Sequence, residues 1–247
     1  MSGHSKWSTI KRKKGAADAK RSKMFSKVVK EIMIAAREGG PDPDMNPKLR
    51  MAISNAKGVN MPKDNVQRAI NKGSSDEGKL DELTFEGHGP GGVAIFVDCL
   101  TDNHLRTVGS VRSIFNKRGG NLGTNGSLSF LFDRKGVFEV AKGELDPDEF
   151  ELEIIDAGVE EMEVEEDHFL ITCALEDFGN VQKKLEEMNL EPEKAELQRI
   201  PTTTKEVELS TARSVMAMID FFEDDDDVQA VYHNMELTDE IAEALSE

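Results

Sequence analysis

Eight basic side chains crowd the first 23 residues: Lys6, Lys11, Arg12, Lys13, Lys14, Lys20, Arg21 and Lys23, with the sole tryptophan, Trp7, among them. Ammonium groups and guanidinium forks at this density suit the neutralisation of closely spaced phosphates. The indole adds a flat face on which a base can stack or which can wedge between bases. Packing of Trp7 on the first helix is the alternative. A large indole in a polar arm, outside any core periodicity, is more economically a contact residue. Lys57, Lys63, Arg68 and Lys72 fall at the ends and outer faces of two later helical segments and extend the same surface.

Other chemistries lack their residues. Segment 87–94 (GHGPGGVA) precedes a strand, whereas nucleotide loops follow a strand and open a helix, and no Gly-Lys-Ser/Thr is present. It is expected to be a turn. Segment 119–126 (GGNLGTNG) follows a helix, lacks the lysine too, and reads as a helix stop and connector. His4, His88, His104, His168 and His233 are scattered without the spacing of a zinc site. Cys99 and Cys173 each sit in an apolar run and are expected to be buried reduced thiols, which points to a reducing compartment. The acidic run 223–227 (EDDDD) has no glycine to turn a cation loop and is expected to be solvated charge that ends the preceding helix. The expectation is a non-enzyme with no metal, no cofactor and no small-molecule substrate.

Charge placement decides the partner. The chain of 247 residues carries a net charge of -17, which would repel phosphate if it were spread evenly. Residues 1–75 hold 17 Lys+Arg against 6 Asp+Glu, a net of +11; subtraction from totals of 31 and 48 leaves 14 against 42, or -28, for residues 76–247. A basic region joined to an acidic body suggests an anionic polymer at one end and leaves the acidic part open to a protein partner. Docking of the basic segment on the chain's own acidic domains is the competing reading, and it would still leave many lysines unpaired. No apolar run reaches the roughly 20 residues of a membrane span, and no signal-peptide pattern opens the chain, so a cytoplasmic location without a membrane partner is expected.

The elements that must position these residues are legible in outline. Residues 1–20 lack an apolar period and suit an arm that orders on binding. Met24, Phe25, Val28, Val29, Ile32, Met33, Ala35 and Ala36 recur at helical spacing until Gly39-Gly40-Pro41. Asn46 before Pro47 caps a second helix that stops near Gly58, and Pro62 starts a third that closes at Gly73. Strand 93–100, helix 105–115 and strand 127–132 follow. Strand 137–140, helix 148–156, strands 161–164 and 169–174, helix 178–188 and strand 194–200 then give a βαββαβ series, the split βαβ of a ferredoxin-like fold. Strand 204–209, helix 211–222 and strand 228–232 complete a second such series with the segments before the first. The fold class is α+β: a three-helix domain (1–75), a discontinuous domain (80–134 plus 203–247) and a ferredoxin-like domain inserted in it (135–202).

Several ordered motifs now point to a family. Gly3-His4-Ser5-Lys6-Trp7, Ile10-Lys11-Arg12-Lys13-Lys14, Asn60-Met61-Pro62-Lys63-Asp64-Asn65, Gly89-Pro90-Gly91-Gly92-Val93-Ala94, Gly119-Gly120-Asn121-Leu122-Gly123 and Asp225-Asp226-Asp227-Val228-Gln229 with Tyr232-His233-Asn234 resemble the YebC/PmpR family, also known for mitochondrial translational activators. The resemblance runs essentially from end to end. Phe85 and His88 depart from it, standing where tyrosine is more frequent, and His104-Leu105 interrupts a usually more polar stretch. The resemblance implies a bacterial, cytoplasmic, three-domain α+β protein without catalytic residues. Within it, a DNA-binding transcriptional regulator is the leading expectation, and a ribosome-associated factor gripping ribosomal RNA is the alternative. The latter needs no base-reading helix, and none is asserted from the sequence.

Overall fold

The computed structural model describes residues 18–75 and 79–246. Three helices come first, α1 (Asp18–Gly39), α2 (Pro47–Gly58) and α3 (Lys63–Gly73). Next are β1 (Asp81–His88), β2 (Ala94–Thr101), α4 (His104–Lys117), β3 (Asn121–Leu122), β4 (Phe132–Ala141), α5 (Pro147–Ile154) and β5 (Val159–Val164). The chain ends with β6 (His168–Ala174), α6 (Phe178–Glu187), β7 (Lys194–Pro201), α7 (Leu209–Glu223), β8 (Val228–His233) and α8 (Asp239–Ser246). Where described, these elements form two compact units, one from Lys79–Asp133 and Arg199–Glu247, the other from Arg21–Gly78 and Arg134–Gln198.

The second unit holds α1 to α3 and a sheet ordered β5-β6-β4-β7. With α5 after β4 and α6 after β6, this is the expected split βαβ. Its core is aromatic: Phe138 stacks on Phe178 at 4.5 Å between centroids, and Phe150 lies 4.8 Å from Phe169. Cys173 is buried there as a free thiol, and burial pushes it up to about 12, far from any reactive thiolate.

Asn46 sets the helical entry. Its Oδ1 accepts from Leu49 N (3.1 Å) to cap α2, while its Nδ2 donates to Ala35 O (2.7 Å) and Gly40 O (2.8 Å) at the end of α1. Helices α1 and α3 meet at Gly73, where a Cβ would fall 2.3 Å from the Met33 carbonyl oxygen. Helix α2 is tied to the sheet through Asn55, whose Oδ1 accepts from Ala195 N on β7 at 2.9 Å.

The first unit has a sheet ordered β3-β1-β2-β8, with neighbours antiparallel. Helices α4 and α7 contribute Val111, Phe115, Ile219 and Phe222 to its core, and Phe115 and Phe222 pack at 4.9 Å. Two local expectations need correction. No strand forms at 127–132; Leu128 and Phe132 anchor against Ala94 and Phe96, and a helical turn, Ser129–Leu131, lies between them. No strand forms at 204–209 either, where the extended contact is a single bridge of Lys205 to Met235. The inner strand beside β2 is supplied by β1, whose acid-rich start DELTFEGH hid it, and the short β3 holds the outer edge.

The acidic run also differs from expectation. Helix α7 does end at Glu223, but Asp227 is buried and is not solvated charge. Its carboxylate accepts from Thr101 Oγ1 (3.1 Å), Thr107 Oγ1 (2.9 Å) and Arg106 Nε (3.1 Å). Asp225 receives Ser110 Oγ and Asp227 N. These groups latch the start of α4 to the loop before β8. Asn234 acts likewise, accepting Ala94 N at 2.8 Å. Much of what the motifs specify is fold.

Candidate nucleic-acid interface

Helix α3 presents the densest described set of candidate contact residues. Ala69, Ile70 and Gly73 face inward. A 3.6-residue period then leaves Lys63, Gln67 and Asn71 on one outward row and Asp64, Arg68 and Lys72 on the adjacent one, and all six are exposed. Gln67 Nε2 donates to Asn71 Oδ1 at 3.0 Å, and Arg68 Nε lies 3.3 Å from Asp64 O. The Arg68 guanidinium and the Lys63 and Lys72 ammonium groups thus share the exposed side of the helix, with Asp64 as the acid of its first turn. Such a face offers forks and point charges to phosphate oxygens and two amides to base edges.

The other sequence candidates divide. Lys57 closes α2, and its Nζ lies 2.5 Å from Glu191 Oε1 in the inserted domain, so this lysine docks on the chain's own acid. Both partners are exposed, so the pair contributes about 0–1 kcal/mol and a phosphate can compete for the lysine. Lys23 is half-buried on α1. Lys6, Trp7, Lys11, Arg12, Lys13 and Lys14 lie outside the described residues, as do the side chains of Lys20 and Arg21. The structure thus brings Lys63, Arg68 and Lys72 together and turns Lys57 toward an acidic partner. Gln67 and Asn71 escaped the sequence reading, which weighed charge alone; their i and i+4 spacing on the same row as Lys63 was the available signal.

Behind this face the unit carries a titrating group. Burial, together with the nearby Glu196 carboxylate, raises the carboxyl of Glu31 on α1 from 4.5 to about 7, against lowering by Asn55, Lys194 and Lys27. A carboxyl raised in the folded state favours folding fully below about pH 4.5 and loses that contribution as pH rises through about 7. Glu31→Gln should therefore stabilise the protein against urea at pH 8, with the gain vanishing near pH 4. A gain of equal size at both pH values would show that ionisation of Glu31 is not the cause.

Among the described residues no group of three or more His, Cys, Asp or Glu side chains is placed to hold a metal ion. His233 is buried and pushed down to about 4 by that burial, with Nδ1 accepting Met235 N at 3.2 Å. Among the described residues no helix is long and apolar enough to cross a membrane.

Comparison with known proteins gives full-length matches. Residues 5–76 match the family described as "TACO1/YebC protein N-terminal domain", and residues 80–235 match "TACO1/YebC second and third domain". A protein of Amoebophilus asiaticus named "Probable transcriptional regulatory protein" is 50% identical over 239 residues, covering 95% of this chain and 98% of that one. A protein of Persephonella marina with the same name is 48% identical over 250 residues, covering 100% of both chains. The crystal structure of a conserved hypothetical protein from Aquifex aeolicus superposes with a TM-score of 0.83 at 41% identity, over 90% of this chain and 93% of that one.

Proposed function

The chain belongs to the TACO1/YebC family, and we propose on that premise that it is a non-catalytic, nucleic-acid-binding regulator of gene expression, acting in the cytoplasm as a DNA-binding transcriptional regulator. The names of its relatives support transcription as the level of action. The observation that carries nucleic-acid binding is the exposed α3 face of Lys63, Arg68 and Lys72, in the same basic segment 1–75 of a chain otherwise strongly acidic. In this reading, Lys6, Trp7, Lys11, Arg12, Lys13, Lys14, Lys20, Arg21 and Lys23 wrap the phosphate backbone, and α3 fixes the register. Domains 80–134 plus 203–247 and 135–202 supply shape and surfaces for a protein partner.

The test is gradient fractionation of cell lysate at low salt, followed by sequencing of nucleic acid crosslinked to the protein. Enrichment of promoter DNA is expected. Recovery with ribosomes and ribosomal RNA in its place would overturn transcription and leave the alternative, a ribosome-associated translation factor that needs charge, a stacking ring and shape but no base code.

A further inference from the structure

We infer that the loop following β3 is a second nucleic-acid contact, in which the phenyl ring of Phe130 receives a base against its face. The inference rests on the proposal that the protein binds nucleic acid, and it places a contact within the acidic residues 76–247, outside the basic segment 1–75 of the sequence.

Four observations point to this loop. Residues 103–132 contain no Asp or Glu but carry Arg106, Arg112, Lys117 and Arg118, in a stretch of the chain where 42 of 172 residues are acidic. No carboxylate of the segment itself repels a polyanion there. Arg106 is committed to Asp227, and Arg118 lies over the Phe221 ring at 3.4 Å, while Arg112 and Lys117 are exposed.

The loop is also built with unusual care for a connector. Glu86 on β1 holds it at three points: its carbonyl oxygen accepts Gly123 N (2.7 Å), and its buried carboxylate accepts Gly126 N (2.7 Å) and Leu128 N (2.5 Å). Burying a carboxylate is costly and is tolerated only where its hydrogen bonds are made, so Glu86 fixes the backbone from 123 to 128. Gly126, at φ +84, supplies the left-handed turn between those two bonds.

What this frame displays is a ring. Leu128 and Phe132 are 4% and 5% exposed and pin the ends of the turn Ser129–Leu131, whereas Phe130 between them is 73% exposed. An apolar ring carried on an anchored turn needs less backbone ordering on binding than one on a flexible loop. Its surroundings in sequence, Thr124, Asn125, Ser127 and Ser129, are exposed hydroxyl and amide groups. A face of that polarity suits a base and its sugar-phosphate better than an apolar protein groove. A stacked base of a single strand and a wedged base step of a duplex both meet this chemistry.

The full chain is photocrosslinked to an oligonucleotide bearing 4-thiouridine, and in separate arms to single-stranded and duplex DNA bearing 4-thiothymidine. Adducts are mapped by mass spectrometry. An adduct on the peptide containing Phe130 is expected, with Phe130→Ala weakening binding about fivefold or more and Phe130→Trp restoring it. The arm that shows the loss identifies stacking or wedging. Because the ring is exposed, Phe130→Ala should unfold at the wild-type urea concentration, which separates lost contact from lost fold. Adducts confined to residues 1–75, with Phe130→Ala binding as wild type, would overturn this inference and leave the proposed function standing. Loss of a protein partner in Phe130→Ala, with nucleic-acid affinity unchanged, would overturn it equally. Absence of adducts and of affinity in every arm would remove the proposed function itself.

Discussion

Replacing Lys11, Arg12, Lys13 and Lys14 with alanine should lower the slope of log affinity against log salt by about 3.6 on duplex DNA, or about 2.8 on a single strand, if each contacts one phosphate. Each neutralised phosphate releases condensed counterions, about 0.9 per contact on a duplex and about 0.7 on a single strand, and the four contacts add. The variant should bind more weakly at low salt and lose roughly a hundredfold less of its affinity between 50 and 200 mM salt. Fluorescence anisotropy across a salt series reads both quantities. The four residues lie outside the described part of the structure, so a stability change has no described contact behind it. A slope and affinity unchanged from wild type would show that the charge run does not touch phosphate and that the N-terminal arm is not the interface.

Asp227→Ala should destabilise the protein by about 2 kcal/mol in urea unfolding, the scale expected when a buried acceptor of several hydrogen bonds is removed. The change removes the carboxylate that Thr101 Oγ1 and Thr107 Oγ1 meet, both on fully buried residues, and the main partner of Arg106. Asp227→Asn should lose less, because the amide oxygen still accepts from the hydroxyls, although it cannot accept the guanidinium as an anion does. The neighbouring Asp226 is exposed, and Asp226→Ala should stay within about 0.5 kcal/mol. Equal losses at 226 and 227 would mean that the run acts as a block of charge and that the latch is not what holds it.

These two outcomes bear on different parts of the family resemblance. Lysines and arginines of the N-terminal motif are argued to meet a ligand, whereas Asp227 and Asn234 in the C-terminal motifs bond to their own fold. The glycines of GPGG serve the backbone as well: Gly91 and Gly92 have φ of +69 and +73. They form the turn expected of that segment. Motif strength in a sequence is thus no measure of distance from the ligand.

The sequence by itself determined helices α1 to α7, though not α8, and the inserted ferredoxin-like unit. Asn46-Pro47, Pro62, Gly58 and Gly73 are local stop and start signals, and the runs 169–174 and 194–200 declare themselves as strands because each is read from its own neighbours. It also placed the charge, which needs no folding to be counted. What only the tertiary structure decided depends on residues far apart in the chain. The strand β1 could be recognised only through its pairing with β2, because Leu83 and Phe85 are too few, among acids, to show a period. Asp227 looked like solvent-facing charge until Thr101, Thr107 and Arg106, more than a hundred residues earlier, closed over it. Lys57 pairs with Glu191, more than a hundred residues later, a partner that spacing along the chain does not announce. Burial and pairing are properties of contacts across the fold, and a reading of spacing along the chain carries no information about which distant side chain will arrive.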